Sequence, residues 1–274
     1  MTTTDLSVTR LTPVLGAEIH GVNLDTIDEA GLRQVHDALN AHQVDFFRDQ
    51  DISVESQMRL GAHFGELVAH PNDPGLDGHP EVMIIHADES SKRGAGASWH
   101  SDVSCDPEPP LGSILRIHTL PETGGDTLFA SMYAAFDALS GPMQHFLEGL
   151  TATHDGSPYY RSVNARIGRD DGGRTYPHAT HPVVRTHPES GRKALFVNRM
   201  FTTGIDGLSR RESDALIALL FEHIEQPQFQ VRFRWAKDSI AFWDNRCVQH
   251  QAIWDYWPET RSGYRVTIKG DRPV

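Results

Sequence analysis

Cysteine is scarce in this sequence: only Cys105 and Cys247 occur among its 274 residues. A secreted disulfide framework needs more, so a reducing cytoplasm is the expected compartment. No neighbouring residue marks either thiol for activation, and both are read as small packing residues. Long apolar runs are missing too. None approaches the roughly 20 residues that cross a bilayer, which argues against a membrane partner. The N-terminus, MTTTDLSVTR, lacks the charged-then-apolar pattern of a signal peptide. Positive charge is in deficit: 25 Lys and Arg face 37 Asp and Glu, a formal net charge of -12. Such a surface repels phosphate backbones, so nucleic acid is not expected as a partner. A local basic cluster can still attract a small anion. There is no GxGxxG, no GxxxxGK[ST] and no βαβα rhythm, and dinucleotide and nucleotide-triphosphate folds lose support.

Turn residues are plentiful: 23 glycines and 16 prolines are spread along the chain. They point to many short strands rather than a helical bundle. Residues 7–22 read as short strands around Gly16 and Gly21. Leu32, Val35 and Leu39 recur at helical spacing, predicting a helix over 28–42, with a strand at 44–47 behind it. Ser53 is placed to cap a helix over 53–64, and Ser131 one running to Leu139. Ser209 and Glu212 form a capping box ahead of the apolar face Leu216, Leu219, Leu220 and Ile224. Strands are expected near 114–117, 127–130, 229–235, 239–243 and 264–269. Segment 155–180, rich in Gly, Arg and Asp, shows no periodicity and reads as a lid, with Tyr159, Tyr160 and Tyr176 for apolar contact. The sum is an antiparallel β core with helical decoration.

The strongest chemical signal is Trp99-His100-Ser101-Asp102-Val103. On a strand, residues two apart share a face, so His100 and Asp102 would aim an imidazole and a carboxylate at one point. Two histidines and one carboxylate leave three metal positions open, a set suited to Fe(II) oxygen chemistry. His250, just after Phe242-Trp243-Asp244-Asn245-Arg246, is the third ligand we select. An HxD by itself arises by chance, and any one of 16 histidines is more often a surface or core residue. The rival set His178, His181 and His187 has zinc-like spacing, but its neighbours Pro182 and Pro188 suggest loop histidines.

Several motifs in order then carry a family resemblance. They are Leu15-Gly16-Ala17-Glu18-Ile19, Phe64-Gly65-Glu66-Leu67, the HxD segment and Gly124-Gly125-Asp126-Thr127-Leu128, followed by His181-Pro182-Val183-Val184-Arg185-Thr186-His187-Pro188, Trp243-Asp244-Asn245-Arg246 and Arg261 to Arg265. Over nearly its whole length the chain resembles the taurine dioxygenase/TfdA-type family of 2-oxoglutarate-dependent oxygenases. The resemblance implies one domain over 1–274, mainly β with flanking helices and built as a double-stranded β-helix, or jelly roll. It implies Fe(II) on His100, Asp102 and His250, and O2 and 2-oxoglutarate as cosubstrates. Arg261 and Thr127 would hold the distal carboxylate of 2-oxoglutarate, a guanidinium fork matching a carboxylate. Arg265, His70 and the Val103 backbone N–H would hold an anionic head group, and Phe201 would line the pocket. A homo-oligomer, dimer or tetramer, is implied as well.

One departure concerns the substrate. Gly94-Ala95-Gly96-Ala97-Ser98 stands where taurine-specific relatives carry Asp and Asn near the taurine amine. Small residues cannot bond an ammonium and leave volume, so a larger or less polar tail than taurine is expected. The expected activity is hydroxylation of the carbon beside the head group of an organosulfonate or alkyl sulfate, with release of that group. An aryloxyalkanoate or other carboxylate oxygenase is the alternative. A non-catalytic metal- or anion-binding jelly roll is the alternative from another class.

Overall fold

The computed structural model of the chain describes residues 6–91, 94 and 96–274. The start of the N-terminal reading and Ala95 of the small-residue stretch lie outside the described residues. In chain order the elements are β1 (Ser7–Arg10), β2 (Ala17–His20), α1 (Glu29–His42), β3 (Val44–Phe47), α2 (Val54–Phe64) and β4 (Val82–Ala87). Then come β5 (Gly112–Thr119), β6 (Thr127–Ser131), α3 (Met132–Asp137), α4 (Gly141–Leu147), β7 (Thr151–Asp155), α5 (Ser157–Arg166) and β8 (His178–Pro182). The chain continues through β9 (Val184–Thr186), β10 (Lys193–Leu195), β11 (Thr202–Ile205), α6 (Arg210–Ile224), β12 (Gln230–Phe233), β13 (Ser239–Asp244), β14 (Val248–Ala252) and β15 (Arg261–Ile268).

Every residue of β3 and β13 is buried, so both faces of their sheet must be covered. That sheet has seven strands in the order β1-β2-β3-β13-β5-β15-β4, antiparallel except for the β2–β3 pair. On one face α1 and α2 bury Leu32, Val35, Leu39 and Leu60 against Phe47, Ile114, Phe242 and Val266. On the other, Phe46, Leu115, Ala241 and Trp243 meet Phe129, Val231, Phe233 and Val248 of the sheet β12-β6-β14. Phe46 stacks on Phe233 at 3.9 Å between ring centres. Two facing β layers with helices outside form the expected jelly roll. Each such aromatic adds roughly 1.5–3 kcal/mol of burial. Among the described residues no helix is long and apolar enough to cross a membrane.

Local signals place most helix starts. Asp28 caps α1 by accepting from Gly31 N at 2.8 Å. Ser53 and Ser131 cap α2 and α3, each accepting a backbone N–H at 3.1 Å. Ser209 and Glu212 complete the capping box of α6. Each cap is worth about 1 kcal/mol. Three expectations are corrected. Residues 99–103 are a single β-bridge at His100 followed by a turn, not a strand. Segment 155–180 is not without regular structure: it contains α5 and the start of β8. Its apolar face was masked by polar neighbours, yet Tyr160 and Tyr176 pack with Val103, Cys105 and Phe201 in a small core of their own. Finally, His178 and His181 lie on β8, and His181 and His187 are buried.

Candidate active site

The metal triad is assembled from two chain segments that meet edge to edge. His100 and His250 form an isolated bridge, with His100 N donating to His250 O at 3.1 Å and His250 N to His100 O at 2.9 Å. This holds the two rings 4.1 Å apart. Asp102 follows two residues after His100, at the start of the turn in which Val103 has φ 45°, and lies beside them. Asp102 Oδ1 then lies 3.7 Å from His100 Nε2 and 4.0 Å from His250 Nε2. Ser98 O accepts from His100 Nδ1 at 2.7 Å, which leaves the Nε2 lone pair facing the carboxylate. All three side chains are buried. Burial lowers the pKa of both imidazoles, so they are neutral and fit to ligate. Burial opposes the Asp102 charge. The Arg265 guanidinium and the Ser113 hydroxyl outweigh it and hold the carboxyl well below its ordinary range.

Asp102 is braced by Asn245 and Arg265, which the sequence motifs contained without revealing this part, and by Ser113, which lies in none of them. Asn245 Oδ1 accepts from Asp102 N at 2.6 Å, and Asn245 Nδ2 donates to Asp102 O at 3.0 Å and Pro110 O at 3.1 Å. Ser113 Oγ donates to Asp102 Oδ2 at 2.8 Å. Arg265 Nη1 donates to Oδ1 at 2.8 Å. The donor set of two neutral imidazoles and one ionised carboxylate fits a divalent first-row metal.

Arg261 and Arg265 sit four apart on β15, and both are buried. Arg261 Nε donates to Gly125 O at 3.0 Å, and its guanidinium carbon lies 5.5 Å from the centre of the Trp235 ring. Its Nη2 is buried and has no hydrogen-bond partner. Burial alone opposes this charge, and an incoming carboxylate would offset it. Thr127 Oγ1 accepts from Trp235 Nε1 at 3.0 Å, so its own proton is free to donate. Gly125, at φ 70°, leaves room here: a Cβ would come within 3.1 Å of Arg261 Cδ. Trp235 is a site residue that the sequence patterns did not flag.

A cavity of about 860 Å³ joins these groups. Its lining includes the triad, Thr127, Arg261, Arg265, His70, Val103 and Phe201, so every site residue selected from the sequence faces one space. Gly94, Gly96, Ala97 and Ser98 line it as well, with Ile84 and Ile167 among its more exposed wall residues. Phe201 is fixed by its N–H, which donates to Asn198 Oδ1 at 3.0 Å, and it packs 5.7 Å from Tyr159 and 5.8 Å from Tyr160.

The rival histidines do not converge on a metal-like set. His181 Nε2 donates to Asp106 O at 2.9 Å. His187 does meet Asp244 and Cys247. However, Arg246 occupies both oxygens of Asp244, from Nε at 2.9 Å and Nη2 at 2.7 Å, and His187 Nε2 adds a contact at 2.9 Å. A guanidinium bound in that way opposes a cation.

The model of the taurine catabolism dioxygenase TauD, TfdA family matches residues 7–267. The chain belongs to this family. It is therefore a 2-oxoglutarate-dependent non-haem iron dioxygenase, with a triad of the facial two-histidine, one-carboxylate kind. Among relatives of this family member, an alkylsulfatase of Acinetobacter baylyi is 34% identical and covers 98% of this chain and 86% of its own. An alpha-ketoglutarate-dependent sulfate ester dioxygenase of Pseudomonas putida is 36% identical, over 95% of this chain and 88% of its own. The crystal structure of a taurine dioxygenase from Burkholderia xenovorans superposes with a TM-score of 0.85 at 37% identity, covering 98% of this chain and 92% of that one.

Proposed function

We propose that the chain oxygenates the carbon beside the anionic head group of an organosulfonate or alkyl sulfate, and that the head group then leaves. The observation that carries this reading is the pair of buried guanidiniums on one strand face, each with an unpartnered nitrogen (Arg261 Nη2 and Arg265 Nε), opening on the triad cavity. Arg261 Nη2 and the Thr127 hydroxyl take the distal carboxylate of 2-oxoglutarate, because both have a hydrogen-bond donor left over. Arg265, His70 and the Val103 N–H receive the head group. Fe(II) held by His100, Asp102 and His250, with 2-oxoglutarate and O2, supplies the oxidising power when bound. The protein's share is to orient the target C–H bond and keep water out. Phe201, Tyr159 and Tyr160 form the apolar wall for that purpose.

The chain works as one domain in this reading, with 155–180 as the cover of the cavity. Tyr159, Val163 and Ile167 from that segment all line it. A reducing cytoplasm suits the two buried free thiols, and a homo-oligomer is part of the same proposal. The names of the alkylsulfatase and sulfate ester relatives support a sulfate or sulfonate head group. Small residues at 94, 96 and 97 and the large cavity favour a tail bigger than that of taurine. Succinate release with Fe(II) and 2-oxoglutarate, across taurine, longer alkanesulfonates, alkyl sulfates and aryloxy acids, tests this. Alkyl sulfates or longer sulfonates are expected to lead. Taurine preferred by a wide margin, or aryloxy acids ahead of every sulfur substrate, would sink it.

A further inference from the structure

The loop that carries His70 is fastened to α5 by an amide pair. Asn72 Nδ2 donates to Asn164 Oδ1 at 3.3 Å, and Asn164 Nδ2 donates back to Asn72 Oδ1 at 3.2 Å. Asn164 is 2% exposed and also donates to the Tyr176 hydroxyl at 2.7 Å. The Asn72 carbonyl accepts from Arg169 Nη1 at 3.4 Å. Asn72 therefore has little freedom, and its backbone N–H points at His70 Nδ1 from 3.2 Å.

That contact fixes the chemistry of the ring. A backbone N–H only donates, so Nδ1 must accept. Burial first, then the Arg265 charge, lower the His70 pKa to about 3, so the ring is neutral. A neutral imidazole that accepts at Nδ1 carries its proton on Nε2. The Tyr160 ring stands nearly perpendicular to it, 5.8 Å away, and closes one side. His70 lines the cavity beside Arg265.

We propose that Asn72 and Asn164 are positioning residues for head-group binding: their amide pair ties α5 to the His70 loop and holds the imidazole with its Nε2–H as the donor to the anion. This rests on the reading above that His70 belongs to the head-group subsite. Seating of α5 over the cavity and orientation of the His70 donor are then a single event. Neither asparagine touches the reacting atoms. Asn164 is not part of the cavity lining and acts through Asn72 and His70, whereas Asn72 also lines the cavity, so Asn164 isolates the positioning effect.

Hexyl sulfate is the probe. In the Fe(II)- and 2-oxoglutarate-loaded enzyme, Asn72→Ala and Asn164→Ala are each expected to raise its KM about tenfold, with kcat and the 2-oxoglutarate KM unchanged. In a His70→Ala background, Asn164→Ala should add nothing. Nitrogen-15 spectra of the histidine side chains of the full chain give a reading that needs no substrate. They should show a fixed Nε2–H tautomer for His70, which becomes averaged in Asn164→Ala. Unchanged KM values, a full Asn164→Ala effect without His70, or a His70 proton on Nδ1 overturns the proposal. If no sulfate or sulfonate is turned over by the unaltered enzyme, the proposed function fails, and the tautomer spectrum alone decides this inference. Should Asn164→Ala not fold, the tautomer spectrum of the less buried Asn72→Ala decides, because Asn72 lines the cavity and its KM alone does not.

Discussion

Two buried clusters in this molecule have nearly the same composition and opposite fates. His100, Asp102, His250 and Arg265 form one, and His187, Asp244, Arg246 and Cys247 the other. In both, an arginine helps hold an aspartate well below its usual pKa against the effect of burial. In the second, the arginine lies two residues from the aspartate and grips both of its oxygens, so the carboxylate is saturated and acts as a brace. In the first, the arginine reaches across from β15 to one oxygen, and two imidazole nitrogens face that same oxygen from 3.7 and 4.0 Å without bonding it. Residue types do not separate a metal centre from a structural network. The orientation of the remaining lone pairs does.

The sharpest way to break the comparison is to remove each aspartate. Asp102→Ala should take turnover below detection while the unfolding midpoint stays within a few degrees, because Arg265 then faces the cavity. Asp244→Ala should do the reverse to stability, since it strips a buried pair. A loss of about 3–5 kcal/mol, or roughly 10 °C, is expected in thermal unfolding. Equal destabilisation by both changes would remove the distinction. The pH sense follows from the depressed carboxyls. A group of this kind adds stability above the ordinary carboxylate range and loses it as pH falls below about 4, so Asp244→Asn should flatten the acid limb of the stability curve.

Arg261 sharpens the contrast from the ligand side, because its spare Nη2 is the counterpart of a saturated Arg246. Arg261→Ala should raise the 2-oxoglutarate KM roughly 30- to 100-fold, the loss of one charged hydrogen-bonded pair. An unchanged KM would remove its assigned role.

The smallest effect belongs to a third buried carboxyl that has neither kind of support. Asp45 on β3 is fully buried, its oxygens have no hydrogen-bond partner, and burial pushes its pKa well up. A raised carboxyl costs stability as pH climbs from the unfolded value toward the folded one. Asp45→Asn should therefore raise the unfolding midpoint by a few degrees at neutral pH and more in alkali. No change with pH would show that Asp45 is ionised and paired.

Much of the site was readable in sequence because it is written in local or motif form. His100 and Asp102 lie two apart, and the Arg261 and Arg265 pair lies four apart. Strand alternation does not account for the first pair, since His100 is an isolated bridge and a turn begins at Asp102. The bracing role of Asn245 was hidden inside its motif, and Ser113 and Trp235 carried no signal, because side-chain hydrogen bonds between residues 143, 11 and 108 positions apart leave no periodic trace. Segment 155–180 hid α5 for a related reason. Its burial depends on Asn164, Tyr160 and Tyr176 meeting partners far away in the chain, while its own composition is polar.

The sequence by itself determined the helix caps, the amphipathic faces and the short-range halves of the metal and anion sites, since these depend on spacing within a few residues. Only the tertiary structure decided that His250 bridges to His100, that Arg265 rather than solvent meets Asp102, and that Asn164 reaches Asn72. Each of those depends on strand register and packing between distant segments, which no local pattern of side chains encodes.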